Sequence, residues 1–311
     1  MNFLSIPKNG SSWYEPLPYI FTVGSEAKDV EVVVRDTINA REVGRMRLYG
    51  VTYAEVDIAP LIRSYMAEPV VATVEGFTPS SVACRVEVVV DGVVSESRTL
   101  FRAAVDYAVG MVLSEHTPNR HVGRGDTIRL TILATKDIVV RMVCDDDIAK
   151  SWQARLQTDG MPYEFVYSVA DLDSRIQRCH LDVMCNGSVV KSFNYTIEQY
   201  DDTAKQMLWH NEKGGVECYT FPRSRRSKCS VTFRGTSLES SQMESRLYSG
   251  HEASDEMERI AGILRSPTLY ECNGLKVTPV DLKTRGVTMD EHGTLRHLDI
   301  DIVKPWKGGG L

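Results

Sequence analysis

The feature that most constrains this chain is the alternation of its apolar residues. In DVEVVVRD, Val30, Val32 and Val34 share one face, and in TIRLTILA the residues Ile128, Leu130 and Ile132 do so while Arg129 and Thr131 face away. Successive side chains of an extended strand point to opposite faces, so such runs predict half-buried strands. Similar runs lie at 19–23, 45–58, 70–76, 81–90, 93–101 and 138–144. With turn signals about eight to twelve residues apart, they predict an antiparallel sandwich or barrel. Asp91-Gly92 and Asn186-Gly187 sit between such runs, and both dipeptides suit hairpins whose central residues take positive φ. Pro60 to Met66 predicts a single helical turn.

A chain of 311 residues exceeds the usual size of one domain. The expected fold class is mainly β, with two antiparallel β-sandwich-like domains and one short helix near the C-terminus. Residues 1–147 form the expected N-terminal sandwich, with a long loop or flap at 103–124 where periodicity fails. Residues 148–311 form the expected C-terminal β domain. The acidic, polar stretch CDDDIAKSWQARLQTDG marks the change between them. In SDEMERIAGILRS, Met257, Ile260, Ala261 and Leu264 recur at helical spacing. A helix over 254–265 follows, with Ser254 as its N-cap and Pro267 closing it.

Charge and cysteine usage narrow the function. A net charge of −6 gives no global basic field for nucleic acid or anionic lipid. The basic run PRSRRSK, Pro222 to Lys228, has no interleaved aromatic residues and is expected to be a solvated loop. Seven widely spread cysteines form no CxxC pair, which argues against structural zinc and for free thiols made in a reducing cytoplasm. No window offers about 18 uncharged apolar residues, so no membrane span is expected.

Candidate chemistry gives way to structural readings. There is no GxSxG and no recognisable nucleophile signature. Asp145 to Asp147, and Asp171 with Asp173, lack calcium-loop spacing and are expected to be solvated. Asp299 and Asp301 alternate with Leu298, Ile300 and Ile302 as the wet face of a strand. Cys179 and Cys185 lie roughly 20 Å apart on an extended strand, too far for one zinc. The GRGDT stretch is expected to be a tight turn. No cofactor or metal is expected.

LWHNEKGGVECYTF, Leu208 to Phe221, alternates on both sides of EKGG, so it predicts a hairpin with a glycine bulge. Val216, Cys218 and Thr220 then lie opposite Glu217, Tyr219 and Phe221. Trp209 near the tip serves either core packing or subunit contact. The candidate hairpin-tip or interface residues are Trp209, Asn211, Gly214, Gly215, Tyr219 and Phe221.

The spacing Trp209-x-Asn211-x-x-Gly214-Gly215-x-x-x-Tyr219-x-Phe221 resembles a motif of structural proteins of tailed phages and prophages of Bacteroidetes hosts. Two further stretches add to the likeness. SDEMERIAGILRSP with the strands after it is similar to the terminal β-domain of distal-tail or baseplate components, and SWYEPLPYIFTV with DVEVVVRD to their opening sandwich. The resemblance covers about half the chain. It implies a non-enzymatic virion protein, made in the host cytoplasm, that forms a ring in a tail or baseplate with copies of itself and other virion proteins. Cys218, Cys229, the PRSRRSK run and residues 103–124 lie outside it. The alternatives are a host-surface module binding glycan through Trp13, Trp152, Trp209 or Trp306, and a virion-associated hydrolase. At the C-terminus PWKGGGL, Trp306 is expected to anchor while Gly308 to Gly310 stay mobile or dock on a partner.

Overall fold

The computed structural model describes residues 1–103, 111–134, 136–145, 147–157, 160–234, 237–283, 288–292 and 295–305. Trp306 and the glycines after it lie outside them.

Most alternating runs form the strands they predict, and the chain is mainly β; the run at 70–76 does not, the strand there being Gly76–Pro79, and the run at 93–101 is two short strands, Val93–Val94 and Arg98–Phe101. Val30, Val32 and Val34 point into a first core together with Tyr19, Phe21, Val86 and Val88. That core fills the space between a three-stranded sheet (Asn2–Ser5, Pro18–Thr22, Tyr53–Asp57) and a six-stranded sheet centred on Lys28–Asp36 and Ala83–Val90. A helix, α1 (Ala59–Tyr65), closes one end through Ala59 and Ile62. It has seven residues and so runs longer than the single turn expected.

A second sandwich has its own core. Ile128, Leu130 and Ile132 face Met142, Leu181, Val183 and Phe193. They come from a four-stranded sheet (Met111–Val112, Thr127–Leu133, Pro162–Ser168, Gly76–Pro79) and a five-stranded one (Asn119–Gly123, Ser188–Glu198, Arg178–Cys185, Ile138–Cys144, Asp147–Leu156). Both dipeptide turns are hairpin turns: Asp91 and Gly92 have φ of 48° and 79°, Asn186 and Gly187 of 52° and 79°.

Beyond these lies a nine-stranded sheet, from Val216–Phe221 at one end to Arg223–Arg234 at the other. It folds over α2 (Ser254–Ala261), whose Met257 and Ile260 meet Trp209, Phe221, Leu298 and Ile300. Leu298, Ile300 and Ile302 point inward as alternation requires. Ala253, in extended conformation, takes the N-cap position, so Ser254 is the first helical residue and does not cap.

Several expectations change. The stretch 145–160 does not separate sheets: Ile138–Cys144 and Asp147–Leu156 pair as one hairpin inside the second sandwich, turning at Asp145 with φ of 48°. The hydrophobic cores divide the chain elsewhere, after about residue 101 and again between Glu198 and Lys205. Of the flap expected at 103–124, residues 104–110 lie outside the described residues. Asn119–Gly123 is a strand paired parallel with Asn194–Glu198, a non-local pairing that local periodicity does not reveal. The basic run is also a strand, Arg223–Arg234, at a sheet edge.

The largest departure is Arg129, expected on the wet face but fully buried. The four-stranded sheet is covered on both sides, because the C-terminal sheet lies on its second face. Arg129 donates to Glu164 Oε1 at 2.8 Å, to Thr127 Oγ1 at 2.9 Å and to the Ala72 carbonyl at 2.6 Å, and Glu164 Oε2 accepts from the Ala72 N–H at 2.8 Å. Gln206, on the C-terminal sheet, accepts from Thr127 N and returns a bond to the Thr127 carbonyl. Burial pushes the Glu164 carboxyl up, against the pull of Arg129. Removing one partner of such a pair strands the other's charge. Arg129→Ala should therefore cost about 3–5 kcal/mol in chemical denaturation, and the apolar double change Arg129→Met with Glu164→Leu much less.

Candidate functional site

The 208–221 stretch is a hairpin, as its alternation predicts, and it is the junction of the three sheet systems. Lys205–His210 and Val216–Phe221 pair in register from Lys205 with Phe221 to His210 with Val216. Between them Asn211 N donates to the Gly215 carbonyl at 2.9 Å, and Gly214 N to the Asn211 carbonyl at 3.0 Å. One face of the hairpin carries Met207, Trp209, Tyr219 and Phe221 into the C-terminal core. The other carries Leu208, Val216 and Cys218 against Val71 and Cys272.

Each motif residue has a distinct task. Asn211 Oδ1 accepts from Lys213 N at 3.0 Å and Gly215 N at 2.8 Å, which fixes the turn, and its amide donates to the Leu113 carbonyl at 2.8 Å and to Glu217 Oε1 at 2.7 Å. Gly214 has φ of 76°, which disfavours a side chain. Gly215 meets a different demand: a methyl group there would lie 2.3 Å from the Leu113 carbonyl oxygen. The backbone of the second sandwich thus rests directly on the hairpin tip. Ser114 Oγ donates to the Val216 carbonyl at 2.7 Å, and Val216 N donates to Thr131 Oγ1 at 2.9 Å. Tyr219 donates its hydroxyl proton to Glu252 Oε1 at 2.7 Å, and its ring meets Phe221 edge-on at 5.0 Å.

None of the six is a free surface. Trp209 and Phe221 are fully buried, Tyr219, Gly214 and Gly215 are buried, and Asn211 is half-buried. The contact that Trp209 makes is therefore with its own chain, and the choice left open in the sequence resolves to core packing. His210 is buried too, its ring Nδ1 3.2 Å from Thr268 Oγ1.

Around the hairpin lies a charged cluster that the sequence reading missed. Arg259, from α2, donates to Glu217 Oε2 at 2.9 Å and to Glu256 Oε2 at 2.9 Å, and stacks 5.7 Å over the Trp209 ring. Glu217 Oε1 accepts from Glu115 N as well as from Asn211. Arg120 donates to the Cys218 carbonyl and to His116 Nδ1. That contact places the His116 proton on Nε2, 3.7 Å from Glu217 Oε2. Burial pushes Glu217 up against the pull of Arg259. Burial also raises Glu256, but its bonds to Arg259 outweigh this and hold it below the usual carboxylate value. A signal existed: Glu217 shares its strand face with Tyr219 and Phe221, and a carboxylate among aromatic residues needs a buried cation. Nothing in the sequence named Arg259 or Arg120 as that cation.

The other expectations settle as structure. Cys144, Cys179 and Cys185 are core thiols. Asp145 Oδ1 accepts from Gln177 N and Arg178 N at 3.2 and 3.1 Å, and Asp173 pairs with Arg175. In GRGDT, Asp126 Oδ2 accepts from Gly123 N at 2.7 Å and Thr220 Oγ1 at 2.6 Å, so the triplet is a turn tied to the hairpin. Among the described residues no three His, Cys, Asp or Glu converge as metal ligands, and no helix is long and apolar enough to cross a membrane.

No protein-family model matches the chain, and no curated protein matches it. Among solved structures it is similar to Dpr2 Ig1-Ig2 in complex with DIP-Theta Ig1-Ig3, at 10% identity over 64% of this chain and 98% of that one, with a TM-score of 0.20. It is also similar to the Ig1-2 module of the Drosophila receptor tyrosine phosphatase DLAR, at 12% identity over 63% and 98%, TM-score 0.17. Titin domains I67-I69 align at 10% identity over 79% and 92%, TM-score 0.18. At these scores the likeness carries no argument about this chain, and its fold class stands on its own sheets.

Two measurements check the junction. Gly215→Ala forces a methyl group into the Leu113 backbone and should cost about 2–3 kcal/mol, the upper range for overpacking, with looser packing of the second sandwich on the hairpin in hydrogen exchange. The second concerns acid. Burial, and then Arg102, lower His210 from its usual 6.5 to about 3, so between those values the unfolded chain binds a proton that the folded one does not. Stability from this source falls as pH drops below 6.5, by about 1.4 kcal/mol per unit. His210→Gln should flatten the loss between pH 6.5 and 5 by about 2 kcal/mol in denaturant titrations.

Proposed function

We propose that this chain is a non-enzymatic structural protein that assembles with copies of itself into a closed ring, as a tail or baseplate component of a phage-like particle. The supporting observation is a sheet edge that no described strand covers. Arg223–Arg234 is the outermost strand of the nine-stranded sheet and is twelve residues long, about twice the average strand. Among the described residues, its inner neighbour, Ser237–Tyr248, pairs with Leu295–Pro305 from Gln242 onward. The outer part of Arg223–Arg234 and Ser237–Tyr248 has, among the described residues, no third strand beside it. Cys229, Val231 and Thr232 are exposed on it.

A long edge is a template for another chain. This one carries Arg223, Arg225, Arg226 and Lys228, all exposed, so two copies placed edge to edge would bring like charges together. The edge suits an acidic surface elsewhere on a neighbour, and the chain as a whole is acidic, at −6. A head-to-tail contact of that kind closes into a ring when its rotation allows. The virion setting draws on the hairpin motif, in which every residue has a structural task, and the charged residues around it are likewise spent on one another.

Light scattering and electron microscopy of the purified protein should find a closed oligomer. Val231→Asp and the pair Arg225→Glu with Arg226→Glu should give folded monomers. Cys229, the exposed one of the seven thiols, should react with a maleimide several-fold faster in those variants than in the assembled protein. A wild-type chain that stays monomeric at high concentration overturns the reading.

A further inference from the structure

Beside the hairpin lies a cleft of about 230 Å³, where the first sandwich (Tyr14, Val82, Arg102), the hairpin and the segment after α2 (Gly262 to Pro267) meet. It is smaller than a drug-sized pocket and has room for one side chain or a small acid.

Three polar atoms of its lining residues are buried without a hydrogen-bond partner among the described residues: Trp209 Nε1, His210 Nε2 and Arg102 Nη1. Trp209 is fully buried and His210 is 5% exposed. A buried donor without a partner costs stability, more so when charged. Trp209 and Gly262 both line the cleft, and a methyl group on Gly262 would lie 3.5 Å from Trp209 Nε1. Glycine at 262 is not required by the backbone, which has helical angles there (φ −55°, ψ −24°). What the missing side chain leaves is room for a methyl-sized group beside that nitrogen.

The charges around the cleft decide the sign of a ligand. Lys213 pairs with Glu115 at 2.6 Å, Arg259 with Glu217 at 2.9 Å, and Arg265 with Glu212 at 3.5 Å. Arg102 and Glu258 have no ion-pair partner among the described residues. Glu258 is exposed and keeps its water, whereas Arg102 holds its Nη1 buried while its guanidinium stacks 5.0 Å over Trp13. Among the described residues, the half-buried charge left without an ion-pair partner is thus positive. Burial lowers the Arg102 pKa, the mark of a cation without enough anionic company.

We propose that this cleft is a binding site for a carboxylate group, held by Arg102 and the indole N–H of Trp209, with His210 beside them. An indole N–H and a guanidinium only donate, so the site takes an acceptor, and a carboxylate offers two oxygens to the two donors. The carboxylate comes from a small free acid or from an acidic side chain of a second copy of this chain.

The indole region of a ¹H–¹⁵N spectrum tests this on the full chain, with the Trp209 resonance assigned through Trp209→Phe. Titration with glutarate should move that resonance saturably and leave the other indoles in place, whereas sodium chloride at equal ionic strength should not. If the ligand group belongs to a second copy, the same resonance moves with protein concentration instead. Arg102→Gln should weaken the response at least tenfold. Gly262→Ala keeps helical geometry and an ordinary contact, so the fold should stand, while the methyl group occupies the room beside the indole nitrogen and abolishes the response. If neither glutarate nor protein concentration moves the Trp209 resonance, the proposal fails. It also fails if chloride reproduces the shift, or if the response survives in Gly262→Ala.

Discussion

The structure depends on one close approach, that of the Leu113–Ser114 backbone to the glycine at the tip of the 205–221 hairpin. A backbone that near to another backbone admits no side chain between them, and Gly215 supplies none. Around this contact Asn211 binds in both directions, closing its own turn through Oδ1 and reaching the Leu113 carbonyl and Glu217 through its amide. The hairpin is at once part of the C-terminal sheet and the seat of the second sandwich. A side chain on its Gly214 would meet Val82 of the first at 3.3 Å. Three sheet systems are registered against one another by five residues of turn.

Charge buried at the same place makes the registration specific. Arg129 with Glu164, and Arg259 with Glu217 and Glu256, are removed from water, and their mutual attraction does little more than offset that removal. They add direction, because a guanidinium satisfied on several sides accepts one arrangement of its neighbours. Apolar contacts such as Leu208 on Val71 and Cys272 would tolerate some sliding, and these polar contacts do not.

Much of the fold was legible because alternation, turn dipeptides and helical spacing are local. Asp91-Gly92 and Asn186-Gly187 named their hairpins, and Met257 with Ile260 named the buried face of α2. The misread parts depend on what lies across from a strand. Arg129 follows the pattern of a wet face, and it is dry because a distant sheet covers it. Asn119–Gly123 joins a sheet through a partner more than seventy residues away, and residues 145–160 look like a linker by composition although Asp147–Leu156 within them is one strand of a hairpin. At the site, the turn chemistry of Asn211, Gly214 and Gly215 could be read directly. The assignment of Trp209 could not, because a tryptophan near a hairpin tip suits a core or a surface equally. Arg102 carried no sequence signal, since its significance comes from three segments meeting around it.

The strand Gly76–Pro79 has a consequence of another kind. It precedes the central strand of the first sandwich, Ala83–Val90, yet it is an edge of the second, paired with Tyr163–Val166. The chain leaves the first unit, lies down in the second and returns before the first is complete. During synthesis the first unit can therefore close on its own, but its stitch to the second must wait until residues 162–168 have emerged. Once made, the stitch changes how the molecule answers to pulling. A force drawing the first unit away from the second acts on the chain on both sides of this strand, and it must break a short ladder of strand bonds before any linker can straighten. The two units are sewn together, and they share tension in a way that beads on a string do not.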